Sequence, residues 1–146
     1  MKKYRYGDAE LSLIEQSCIP IAVYQFIDKR VVTVAVSDGF CSLCGLPRKE
    51  TYELMDNYMY RDVHPDDVSR IADEALRFAA EGGKYNTIYR QIINGEYHII
   101  HAYGEHVYRD GVRLAVIWYN DEGRYTEGQS GGLLETAFSD KLKKAG

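Results

Sequence analysis

No stretch of the 146-residue chain approaches the ~18 consecutive apolar residues that a bilayer-spanning helix requires. Charge of one sign is missing too. The 18 basic residues stand against 22 acidic ones, and apart from Lys141, Lys143 and Lys144 they are scattered, which argues against a nucleic-acid partner. Three cysteines, an odd number, do not make the framework of a small secreted domain. The start, Met1-Lys2-Lys3-Tyr4-Arg5, is basic, but no apolar signal segment follows it, so a cytoplasmic location is expected. There is no phosphate-cradling glycine loop, no G-x-S-x-G nucleophile turn and no internal repeat.

What remains reads as one ordinary globular domain, long enough to bury a core. Leu11 and Ile14 mark an amphipathic helix over 8–18, stopped before Pro20. The β-branched and aromatic runs 21–27 and 31–36 flank Asp28-Lys29-Arg30 and predict a hairpin. Ser37 and Asp38 suit a helix cap, Phe40 to Cys44 follow at helical spacing, and Gly45 closes that turn. A second short helix fits 49–57. A third opens at His64-Pro65-Asp66-Asp67, and Val68, Ile71, Ala72, Ala75, Leu76 and Ala79 keep its rhythm until Gly82-Gly83.

From Lys84 the pattern is all strand, broken by Asn94-Gly95 and Asp110-Gly111, the dipeptides that best favour tight hairpins. Residues 121–132 are polar and Gly-rich, and Leu134, Ala137, Phe138 and Leu142 suggest a short last helix. The expected division is an N-terminal helix over 1–19, a domain over 20–122, and a linker with its helix over 123–146. Five strands with helices inserted between the second and third predict an α+β domain, its antiparallel sheet covered by helices on one face. A ligand would sit between the two layers.

Three segments carry a resemblance: VSDGFCSLCGL (36–46), DVHPDDVSRIADEAL (62–76), and the paired strands of NGEYHIIHAYGEHVYRDGVRLAVIWYNDEG (94–123). Together with the first hairpin they resemble a PAS domain of the bacterial signalling type over about residues 20–122. Two departures stand out: Ser37 replaces a frequent Asn, implying a weaker side-chain network, and the closing strand lacks the usual D-I-T. The resemblance implies a non-catalytic sensory or regulatory module. Its partners would be a small molecule, a second copy of the chain, and an output such as a diguanylate cyclase, a phosphodiesterase or a histidine kinase. The ligand-cavity candidates are Tyr24, Phe26, Phe40, Cys41, Cys44, Ile71, Ala75 and Trp118; Leu11 and Ile14 are the dimer-interface candidates.

Competing chemistries fare worse. Cys41-Ser42-Leu43-Cys44 has metal or redox spacing, but no second pair, no H-x3-5-H and no Lys or Arg between 31 and 47 accompany it, so packing is the better account. His98 and His101 point to opposite strand faces, whereas His98 and His106 share one roughly 26 Å apart. His64 with Asp66 and Asp67 reads as a helix cap rather than an acid–base group. Haem-binding relatives use a histidine on the long helix, and residues 66–81 contain none; covalent flavin photochemistry needs an N-C-R-F-L-Q-type motif that GFCSLCGL does not match. No cofactor is named by the sequence. The alternatives are a ligand-free dimerisation module, its Tyr-rich sheet face covered by a second copy, and a small enzyme, which would need His98 or His101 beside a buried carboxylate.

Overall fold

A computed structural model describes residues 1–126. The expected C-terminal helix and most of the Gly-rich segment lie outside the described residues.

The elements are α1 (Asp8–Glu15), β1 (Ile21–Ile27), β2 (Arg30–Val36), α2 (Asp38–Cys44), α3 (Arg48–Asn57), α4 (Pro65–Glu81), β3 (Lys84–Ile93), β4 (Glu96–Arg109) and β5 (Val112–Arg124). The five strands form one antiparallel sheet in the order β2-β1-β5-β4-β3, with the three helices α2–α4 inserted between β2 and β3 as the sequence predicts. The ends differ slightly from expectation. Helix α1 stops at Glu15 rather than Cys18, and β5 runs to Arg124, through the first residues read as linker.

The turns explain the register. Asp28 and Lys29, Asn94 and Gly95, and Asp110 and Gly111 all take positive φ, the mirror-image turn that matches strand twist. Helix α2 starts on Ser37, a fully buried side chain. Its hydroxyl donates to the Ile19 carbonyl at 2.7 Å and accepts the Ile21 N–H at 2.9 Å and the Phe40 N–H at 3.1 Å. One donor and two acceptors are all a hydroxyl has. The network expected to be weak is saturated.

Helix α4 is capped by His64, whose Nδ1 accepts the Asp66 N–H at 3.1 Å. Asp67 does more than complement the helix dipole. Nearly buried, it accepts from the Arg90 backbone N–H and Nε at 2.9 Å and from Nη2 at 2.8 Å, clamping α4 to the edge of β3. Burial alone would raise its pKa. The hydrogen bonds from Arg90 and the charges of Arg90 and Arg70 outweigh that and hold it below the usual carboxylate range.

Two clusters sandwich the sheet. On the inner face Phe40, Leu54, Met55, Ile71 and Phe78 of the helices meet Tyr24, Val36, Tyr89, Ile100 and Ile117. On the outer face Val23, Val34, Ala35 and Leu114 are covered by Tyr4, Tyr6, Leu11 and Ile14. The N-terminal segment is held there by Gln25, itself buried, whose Oε1 accepts the Tyr4 N–H at 2.7 Å and whose Nε2 donates to the Lys2 carbonyl at 3.2 Å. Among the described residues no helix is long and apolar enough to cross a membrane.

Candidate functional site

Between the inner sheet face and helices α2–α4 lies a cavity of about 450 Å³. Its existence follows from small residues facing one another. Ala102 on β4 and Ala115 on β5 form part of the floor, while Ala75 and Ala79 on α4 form part of the roof. Gly104 continues the floor. A Cβ built there would come within 2.8 Å of Tyr85 Cβ and 2.5 Å of Ile117 Cδ1, so the flanking side chains occupy the space that a larger residue would need. Large walls around small floor and roof residues leave a hollow rather than a packed core.

Tyrosines dominate the walls: Tyr24, Tyr60, Tyr85, Tyr89 and Tyr119. Tyr24 and Tyr119 bridge β1 and β5 through a 2.8 Å hydrogen bond between their hydroxyls. The hydroxyls of Tyr60, Tyr85 and Tyr89 have no hydrogen-bond partner among the described residues. Burial raises the pKa of Tyr24, Tyr89 and Tyr119 well above 10, and raises Tyr60 and Tyr85 as well. The lining therefore presents neutral phenols near pH 7. Its polar ends differ. Asp62 and Gln91 lie toward one, Asp62 already paired with Arg61 at 3.0 Å; His106 and Arg113 lie toward the other.

Of the residues singled out from sequence, Tyr24, Phe26, Phe40, Cys44, Ile71 and Ala75 stand on the cavity wall, Phe26 partly exposed. Two do not. Trp118 points to the outer face, because its strand neighbours Ile117 and Tyr119 take the inner one. Cys41 packs at the edge of the inner cluster and borders a surface groove with Asp38, Leu46 and Arg48. Cys44 does face the cavity. Burial, with smaller contributions from Cys41 and Asp62, pushes its thiol up to about 12, which keeps it protonated and a poor nucleophile.

Leu11 and Ile14 are part-buried on this chain's own sheet, against the cluster of Val23, Val34, Ala35 and Leu114. The tyrosine-rich face expected to need an outside cover is the inner one. His98 and His101 lie off the cavity, hydrogen-bonded to Asp121 at 2.9 Å and Glu122 at 3.1 Å, both carboxylates on the surface. Neither pair converges with a buried acid.

Sequence reasoning missed Tyr60, Tyr85, Tyr89, Tyr119, His106 and Arg113. The even spacing of Tyr85 and Tyr89 puts them on one face, but not on which. The Asp110-Gly111 hairpin was the signal for Arg113: it pairs β4 with β5 so that Arg113 falls close to His106.

A family model described as the PAS fold matches residues 33–131. No curated protein matches the chain significantly. Similar solved structures include the PAS domain of a protein from Colwellia psychrerythraea, at 14% identity over 79% of this chain and 95% of that one, TM-score 0.60. The N-terminal domain of a diguanylate cyclase with PAS/PAC sensor from Marinobacter aquaeolei matches at 17% identity over 71% and 95%, TM-score 0.57. A sensory box histidine kinase/response regulator from Burkholderia thailandensis matches at 17% identity over 93% and 96%, TM-score 0.53.

Proposed function

From the premise that this chain belongs to the PAS-fold family, we propose that it is a non-catalytic sensory module that binds a small molecule in its tyrosine-lined cavity. One observation carries this reading. Three phenols, Tyr60, Tyr85 and Tyr89, line the cavity with accessible hydroxyls that have no hydrogen-bond partner among the described residues. A largely apolar cavity with a few accessible neutral hydroxyls suits a mostly apolar ligand with a few polar atoms.

The output follows from the sheet. Tyr24 and Gln25 are neighbours on β1: Tyr24 bonds Tyr119 inside, and Gln25 holds the N-terminal segment outside. A ligand that bonds differently to the Tyr24–Tyr119 pair in two states of the sheet would bias how residues 1–15 sit, and β5 would carry the same bias past Arg124. Differential affinity is essential here, since equal binding to both states shifts nothing. The partner is an output of the signalling kind, such as a cyclase or histidine kinase.

Native mass spectrometry of the purified chain tests this. The expected result is a bound mass lost on denaturation and absent from Ala75→Phe, whose ring fills the roof. Equal spectra for both proteins, with no metabolite in a broad panel raising the unfolding temperature, would refute it.

A further inference from the structure

Resting on that reading, we infer that the ligand is an elongated amphipathic carboxylate, its apolar body among the tyrosines and its carboxylate on Arg113, which His106 positions. The mouth residues carry this. Arg113 lines the cavity and, among the described residues, has no carboxylate within ion-pair distance. Arg48, Arg61, Arg70, Arg90, Arg109 and Arg124 each have one, while Arg5, Arg30 and Arg77, which also lack one, are exposed and off the cavity. A guanidinium has five N–H donors. Arg113 directs Nε to His106 Nδ1 at 3.2 Å.

His106 holds that guanidinium in place. Its Nε2 lies 3.0 Å from the Phe78 carbonyl, and Nδ1 accepts from Arg113, so the neutral Nε2–H tautomer satisfies both contacts. Burial first, then the charge of Arg113, lowers its pKa and favours that neutral form against the opposing pull of the Phe78 carbonyl. Arg113 Nη2 lies 3.0 Å from the same Nε2, so in that tautomer it faces an N–H rather than an acceptor. Phe78 stacks on the imidazole at 4.1 Å and makes a wall that fixes it.

The helix end is the competing account of Arg113. Helix α4 has no basic residue in its last turn, and a Cβ built on Gly82 would lie 3.1 Å from Nη2. A helix C-terminus supplies about half a negative charge. That leaves the guanidinium with charge and donors in excess, and a carboxylate accepts two of them side by side. The opposite end argues for length. Gln91 pairs with His98, eight residues along β4 from His106, roughly 26 Å of strand. At that end Asp62 is already paired with Arg61, so no cationic donor among the lining residues is left there for a second carboxylate, which suits a monoanion.

The test titrates the full chain by calorimetry with biphenyl-4-acetic acid and decanoic acid, each beside its primary amide. Each acid should bind about tenfold or more tightly than its amide. Arg113→Met should bring the acids down to the amides without weakening the amides, and Arg113→Lys should recover part of the difference. Unchanged amide affinity in Arg113→Met also reports an intact cavity. Equal binding of acid and amide, or no effect of Arg113→Met, overturns this inference and leaves the cavity reading standing. No binding of any probe to wild type also overturns this inference, while the cavity reading is decided separately by the native mass spectra.

Discussion

The two faces of the sheet are made from the same strands and end differently. The outer face is filled by the chain's own N-terminus: Leu114 and Ala35 are fully buried, Val23 almost so, under Leu11, Ile14, Tyr4 and Tyr6. The inner face is covered by more helix and is nevertheless hollow. The difference lies in side-chain volume at facing positions, not in hydrophobicity. Alanines oppose alanines across the cavity, whereas branched side chains interdigitate on the other side. One face therefore stabilises the domain, and the other gives up packing and leaves a cavity.

Raising the pH should separate them most forcefully. Tyr24, Tyr89 and Tyr119 keep their protons well above 10 in the folded chain, while unfolded tyrosine releases its proton near 10. The folded state then binds more protons, so this part of the stability is complete below pH ~10 and is lost as pH rises toward the folded values. Circular dichroism should show alkaline unfolding coincident with a burst of phenolate absorbance. Gradual ionisation with the fold intact would contradict the buried inner wall.

Leu114→Ala comes next, with a loss of about 3 kcal/mol in urea unfolding, since it opens a void in a filled layer. Tyr24→Phe should cost about 1–2 kcal/mol by leaving the Tyr119 hydroxyl unpaired; adding Tyr119→Phe should recover most of it, a double-mutant cycle that isolates the pair. Smallest is Ala75→Leu, which should raise stability by about 1 kcal/mol by filling the roof while weakening any ligand. The same enlargement at Ala35, fully buried in the outer layer, should be destabilising, and equal effects at the two sites would erase the contrast.

The architecture was legible because its punctuation is local. Asn94-Gly95 and Asp110-Gly111 fix two hairpins, and the Pro65 and Gly82 signals bracket α4. The half of the site on helices and short hairpins was legible for the same reason: Phe40, Cys44, Ile71 and Ala75 sit on faces that helical spacing defines. Strand parity was not. In β5, apolar residues fill both faces because α1 covers one and α2–α4 the other, so no alternation in Ala115 to Tyr119 marks which side is in. Trp118 belongs outside, and Tyr119, one residue on, reaches the cavity. Leu11 and Ile14 form an apolar stripe that intramolecular and intermolecular burial would produce alike.

The central claim is a hollow inner face against a solid outer one, and xenon reads it directly, since it enters apolar cavities and not packed layers. Methyl resonances of the full chain recorded under xenon pressure should shift at Ile71, Leu54 and Ile117 and stay in place at Val34, Leu114 and Val116. Shifts of equal size on both faces, or on neither, would contradict it.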